Sequence, residues 1–220
     1  MTYPLHTIYE LAYEAAGYTH GHPTGKSASG ALAVLIGLLF QDRTLEHAVR
    51  ETIEFLVASG PDAAETAQAL RAAVALFTEG DSDTPGRYAI ERLGQGWIAE
   101  EALSMAVYAA LRFSGTHQCL QALSCAVTHG GDSDSTGSIC GNILGALHGE
   151  RWLDASLAFR VEGRAAMLEI ADDFSYLITD GSTPSDDIPV IVRDGRPLWE
   201  TSGTRTLLDC QEWFDRYPPG

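Results

Sequence analysis

The stretch that most constrains this chain runs Thr128-His129-Gly130-Gly131-Asp132-Ser133-Asp134-Ser135-Thr136-Gly137-Ser138-Ile139-Cys140-Gly141-Asn142. Asp132 and Asp134 sit among hydroxyl side chains, with a glycine pair before them and the apolar, glycine-punctuated segment Ile143 to Leu147 behind. Gly130 and Gly131 let the backbone turn sharply. Ser133, Asp134 or Ser135 can cap the helix expected to start there, which Ile139 to Leu147 carries onward and Gly149 ends. Both carboxylates then stand at the positive end of a helix dipole, which favours their ionised form. Hard oxygen donors in a small space suit Mg²⁺, Ca²⁺ or Mn²⁺.

Two other readings of the same letters fail on context. Asp132-x-Asp134-x-Thr136-Gly137 copies the first half of an EF-hand loop, but Ile143 stands where that loop needs a bidentate glutamate. The Asp-x-Asp-x-Thr of phosphoaspartate-forming phosphatases needs its first aspartate at the end of a buried strand. Here Ala122 to Val127 reads as the end of a helix, and Thr128 to Gly131 intervene.

With 220 residues, 45% of them hydrophobic, the chain can build one globular domain with a sizeable core. A formal net charge of -16, from 30 acidic and 14 basic residues, argues against nucleic acid or an anionic membrane as partner. Cys119, Cys125, Cys140 and Cys210 form no CxxC pair, and no apolar span approaches the ~20 residues of a membrane helix. The start, Met1 to His6, has neither a basic region nor an apolar one, so it does not read as a signal peptide. A cytoplasmic protein with reduced thiols is the expectation.

Apolar residues recur at helical spacing along most of the chain. Leu5 to Ala16 predicts an amphipathic helix ended by Gly17. Ser27 to Phe40 is apolar nearly all round and predicts a central buried helix, whose small residues permit close contacts. Leu45 to Ala58, begun by Thr44 and stopped by Gly60-Pro61, and Asp62 to Phe77 give two more. Thr78 to Gly86 reads as a solvated loop. A long helix through Leu111 follows Leu93 to Leu103, and Gln118 to Val127 delivers the chain to the aspartate motif. Asp154 to Phe159 and Met167 to Ile178 carry further periodicity. Ile188 to Val192 resembles a short strand turned by Asp194-Gly195 in a proline-rich tail. His20-x-His22 alone reads as helix capping more readily than as a metal pair, and Gly94-x-Gly96 alone is a weak anion-site signal, lacking a preceding strand.

The run Gly130 to Gly137 followed by Gly141-Asn142-Ile143-Leu144-Gly145-Ala146-Leu147-His148-Gly149 resembles the C-terminal metal-binding signature of the ADP-ribosylglycohydrolases, the dinitrogenase-reductase-activating glycohydrolase family. Thr19-His20-Gly21-His22-Pro23-Thr24-Gly25 and Leu93-Gly94-Gln95-Gly96-Trp97-Ile98-Ala99-Glu100-Glu101-Ala102-Leu103 resemble two further segments of that family. The resemblance implies an all-α, orthogonal multi-helix bundle over residues 1–181, with a short irregular or β tail over 182–220 packed on it. It implies metal-dependent hydrolysis of the glycosidic bond between ADP-ribose and a protein side chain, with Mg²⁺ or Mn²⁺ as cofactor. Asp132 and Asp134 would be catalytic, Asp132, Asp134 and Ser135 metal ligands, and Asp134 the bridge between two ions. His20 would line the ADP-ribose pocket, with Gly94, Gly96 and Trp97 near its adenosine end. The partner is an ADP-ribosylated protein or an ADP-ribose-containing small molecule.

Relatives also carry an upstream Gly-Asp-Ala-Leu-Gly type segment and a Thr-Asp-Asp-Thr type motif that supplies further ligands. Neither is present here, and Asp172-Asp173 or Asp186-Asp187 stand in the wrong context to replace them. The resemblance therefore covers roughly residues 5 to 180 and corresponds to the middle and C-terminal part of the family domain. The expectation is one weakly bound divalent ion, and an apolar face of Ala28 to Leu39 that a complementing N-terminal chain or self-association would cover. A non-catalytic relative that binds ADP-ribose, or blocks a toxin, is the alternative.

Overall fold

The helical periodicity is realised from Leu5 onward. The structure is a computed structural model. It describes residues 4–80, 86–149, 161–163, 166–168, 170–171, 192–193 and 196–197. The chain divides into two units, Met1–Trp152 and Leu153–Gly220.

The described part of the first unit is all-α: α1 (Leu5–Gly17), α2 (Pro23–Leu39), α3 (Leu45–Ala58), α4 (Ala64–Glu79), α5 (Gly86–Ile90), α6 (Ala99–Arg112), α7 (Cys119–Val127) and α8 (Ser133–His148). Short 3-10 turns at Pro61–Ala63, Glu91–Leu93 and Thr116–Gln118 lead into α4, follow α5 and lead into α7. Local chemistry sets the ends. Thr44 caps α3, its hydroxyl accepting the His47 N–H at 3.4 Å. Gly80 closes α4 at φ 63, the left-handed conformation that helix C-termini favour. α2 starts at Pro23, four residues before the apolar run, because proline suits a first helical position and His22 Nδ1 accepts the Thr24 N–H at 3.3 Å.

The core is arranged differently from the sequence expectation in one respect. α2 is well buried, but the most enclosed element is α6, in which every residue from Ala102 to Leu111 is buried. It packs against α2, α4, α7 and α8. Its alanines let four neighbours approach, while α2 gives one side to α1. There the small residues do what they predict: a Cβ on Gly30 would lie 2.5 Å from the Tyr9 ring, and one on Gly37 3.1 Å from Ile8. The expected exposed face of Ala28 to Leu39 is not found. Ala28, Ala31, Val34, Leu35, Leu38 and Leu39 are all buried, covered by the helices around α2.

In the second unit residues 166–168 and 170–171 are helical, overlapping the start of the expected Met167 to Ile178 segment. Val192–Arg193 pairs antiparallel with Arg196–Pro197, bracketing Asp194-Gly195 in the sequence. The expected helix over Asp154 to Phe159, the Asp172-Asp173 and Asp186-Asp187 pairs, and the strand residues 188–191 lie outside the described residues. Among the described residues no helix is long and apolar enough to cross a membrane.

Candidate functional site

The aspartate motif stands at the head of α8. The helix begins at Ser133, six residues before the apolar periodicity does, and its cap is Asp132 rather than Ser133, Asp134 or Ser135. Asp132 Oδ1 accepts the Ser135 N–H at 3.4 Å, which satisfies one of the free amides of the first turn. Asp134 is exposed within that turn, and Ser135 is half-buried beside it. The carboxyls of Asp132 and Asp134 are hydrogen-bond neighbours. That pairing first, and the Ser135 hydroxyl second, hold the Asp132 carboxyl below its ordinary range.

Behind this surface lies a buried brace. Thr136 is fully buried, its Oγ1 2.7 Å from the Ala126 carbonyl and 2.9 Å from the Asp132 carbonyl, so it ties the end of α7 to the start of α8. His129 Nε2 lies 2.8 Å from the Ala126 carbonyl, which can only accept, and Nδ1 lies 3.1 Å from the Gly131 amide, which can only donate. These partners assign the Nε2–H tautomer. His129 therefore orders the glycine turn rather than facing a ligand. At the other end of α8, His148 Nε2 donates to the Ser114 carbonyl at 2.9 Å, a structural role too.

A second loop meets the first. Residues Gly94 to Ile98 connect the Glu91–Leu93 turn to α6, and the Gln95 carbonyl accepts the Asp132 N–H at 2.8 Å. The approach leaves no room: a Cβ on Gly131 would lie 1.8 Å from that carbonyl oxygen, and one on Gly96 would lie 3.0 Å from Thr136 Cγ2. Gly94 and Gly96 have φ of 133 and 79, where side chains are strained. Glu101 Oε2 accepts from both the Gln95 amide, at 2.9 Å, and the Gly96 amide, at 3.1 Å. Glu91 likewise accepts the Gly130 N–H at 3.3 Å.

Trp97 is 66% exposed, so it is not a core residue. Its Nε1–H donates to Gln95 Oε1 at 3.2 Å, which fixes the indole beside the aspartate loop. Of the residues singled out in the sequence, Asp132, Asp134 and Ser135 stand at the cap and first turn of α8, and Gly94, Gly96 and Trp97 stand in the loop whose Gln95 carbonyl meets the Asp132 amide. His20 is exposed at the turn between α1 and α2, 2.8 Å from the Thr19 hydroxyl at its Nδ1. Among the described residues no hydrogen bond joins it to either loop.

Glu101, Glu91, Gln95, His129 and Thr136 were not assigned roles from the sequence. Gln95 and Glu101 lie in the Leu93 to Leu103 segment and Thr136 in the Gly130 to Gly137 run, but those patterns gave them no role of their own. By donor chemistry the motif fits one hard divalent cation: two carboxylates and a hydroxyl, with water able to complete the shell. Among the described residues no group of three or more His, Cys, Asp or Glu side chains converges as a metal site.

A family model described as ADP-ribosylglycohydrolase matches residues 2–184. Comparison with curated proteins gave no match. Comparison with solved structures gave none either.

Proposed function

The chain belongs to the ADP-ribosylglycohydrolase family, and on that premise we propose that it hydrolyses the glycosidic bond between ADP-ribose and a protein side chain, using a divalent cation, Mg²⁺ or Mn²⁺, held by Asp132, Asp134 and Ser135. The observation that supports the reading is the placing of these residues at the cap and first turn of α8, next to the loop that carries the exposed Trp97 and whose Gln95 carbonyl accepts the Asp132 amide.

The reaction breaks the bond from ribose C1 to a side-chain nitrogen or oxygen and adds water at C1. Its transition state resembles an oxocarbenium ion, so what matters is how the ribose and the water are placed. A bound divalent cation would supply orientation of ribose hydroxyls and water and neutralise negative charge. Asp132 is ionised at neutral pH, and its backbone is fixed by Gln95 and the α8 amides, so it serves as a rigid ligand. Asp134, the exposed carboxylate, is the better placed to take the water proton, which then leaves with the departing side chain. The exposed indole of Trp97 offers a face on which an adenine ring can stack. The Gln95 and Gly96 amides already bind Glu101, so Gly94 and Gly96 serve by shaping the loop rather than by cradling phosphate.

His20 would contact the ligand through its exposed ring. The helical domain is taken to run to residue 181, a boundary supported by the family match ending at 184. Free, buried Cys119, Cys125 and Cys140 support a reducing, cytoplasmic setting. A second reading is favoured by the sparse donor set, two carboxylates with no third acidic group converging on them among the described residues: a relative that binds ADP-ribose without cleaving it. Chromatographic detection of ADP-ribose released from ADP-ribosylated arginine and serine substrates, with Mg²⁺ or with chelator, separates the two. Release that needs Mg²⁺ and is lost in Asp134→Ala supports the hydrolase, whereas tight ADP-ribose binding without turnover supports the binder.

A further inference from the structure

Glu101 stands in the first turn of α6, where a carboxylate is favourable for the helix dipole alone. A carboxylate serving its own helix would reach back to the amide of the cap residue, as in a capping box. Ile98 is that cap residue, and it makes no side-chain cap bond. Glu101 instead reaches past it, and one oxygen takes the amides of both Gln95 and Gly96. The loop is moulded on this carboxylate: a Cβ on Gly94 would lie 2.3 Å from Glu101 Cδ. Consecutive amides of this kind make an anion-binding concavity, and here the protein fills it with its own anion.

Gln95 passes the constraint on. Its amide is held by Glu101, its carbonyl holds the Asp132 amide at 2.8 Å, and its side chain holds the Trp97 indole at 3.2 Å. Resting on the functional reading above, we infer that Glu101 is a positioning residue: acting through Gln95, it fixes Asp132 and Trp97 relative to each other and thereby couples the cation-binding carboxylates to the ring-stacking face. Glu101 touches neither ligand. Its charge makes both hydrogen bonds stronger than neutral ones, so glutamine preserves the geometry with less hold and alanine releases it.

The test uses the full chain and its Glu101→Ala and Glu101→Gln variants, compared by amide hydrogen exchange and by titration with Mn²⁺ and with ADP-ribose. Glu101→Ala should speed exchange at Gln95 and Gly96 and also at Asp132, which Glu101 does not touch. The Gly130 amide, held by Glu91, and the amides of α4 should keep wild-type rates. Mn²⁺ affinity should fall roughly tenfold, as for other outer partners of metal ligands, and Glu101→Gln should recover most of both effects. Unchanged exchange at Asp132 in Glu101→Ala overturns the inference, as does accelerated exchange throughout the fold, which would mean a general loss of stability. Should wild type bind neither Mn²⁺ nor ADP-ribose, the functional reading fails, while the exchange pattern still decides whether Glu101 positions Asp132.

Discussion

At Asp132 a single carboxyl caps the helix and also stands in the candidate site. It accepts the Ser135 amide and lies against Asp134, and its ionised form is favoured by both. A folded-state value below the unfolded one stabilises the fold above the ordinary carboxylate range, and that contribution is lost as pH falls through the lowered value. Carbon-13 NMR titration should therefore place the Asp132 midpoint below the ~3.9 of a free aspartate. In Asp134→Ala it should move upward, because the largest cause is removed; a midpoint that does not move would assign the shift to another cause. That Asp132, Asp134 and Ser135 stand together at one helix end was legible in the sequence, from the glycine pair before them and the cap-forming side chains among them. Thr136 and His129 were not, since what they bind, the Ala126 carbonyl and the Gly131 amide, depends on how the turn folds.

Among elements, the site is the contact between the α7–α8 turn and the loop before α6. Gly131 faces the Gln95 carbonyl with no space for a methyl group, and backbone cannot step aside as a side-chain tip can. Gly131→Ala should cost about 1–3 kcal/mol, the usual range for overpacking. Chemical denaturation would measure it, and wild-type stability would show the loops less tightly joined than described. Amphipathic elements with strong punctuation were readable: α3 begins after Thr44 and ends before Gly60-Pro61 as its pattern requires. The start of α8 was readable from its cap candidates Ser133, Asp134 and Ser135, but the cap itself is Asp132, and Ser133 to Ser138, which lack apolar periodicity, are held helical by that cap and the buried Thr136. α5 was missed, since Pro85-Gly86 reads as a turn and five residues carry no period. The meeting of Gln95 with Asp132 is tertiary, and no local pattern announces it.

At the scale of the molecule, a net charge of -16 repels an anionic ligand and attracts a cation. Raising ionic strength should speed association of ADP-ribose and slow that of Mg²⁺, since salt screens both effects; stopped-flow fluorescence reads the two rates, and a common direction would show that the field of the whole chain is not felt at the site. The fold itself is organised by α6, and Cys125 of α7 and Cys140 of α8 are buried in the same core, where burial pushes these thiols up to about 11 and about 12. Such thiols are inert at neutral pH. The central claim is that Asp132 and Asp134 hold a divalent cation. Isothermal titration of Mg²⁺ into the full chain and into an Asp132→Ala/Asp134→Ala variant tests it most directly. The account predicts a saturable site in the wild type that disappears in the variant, whereas undiminished binding in the variant would contradict it.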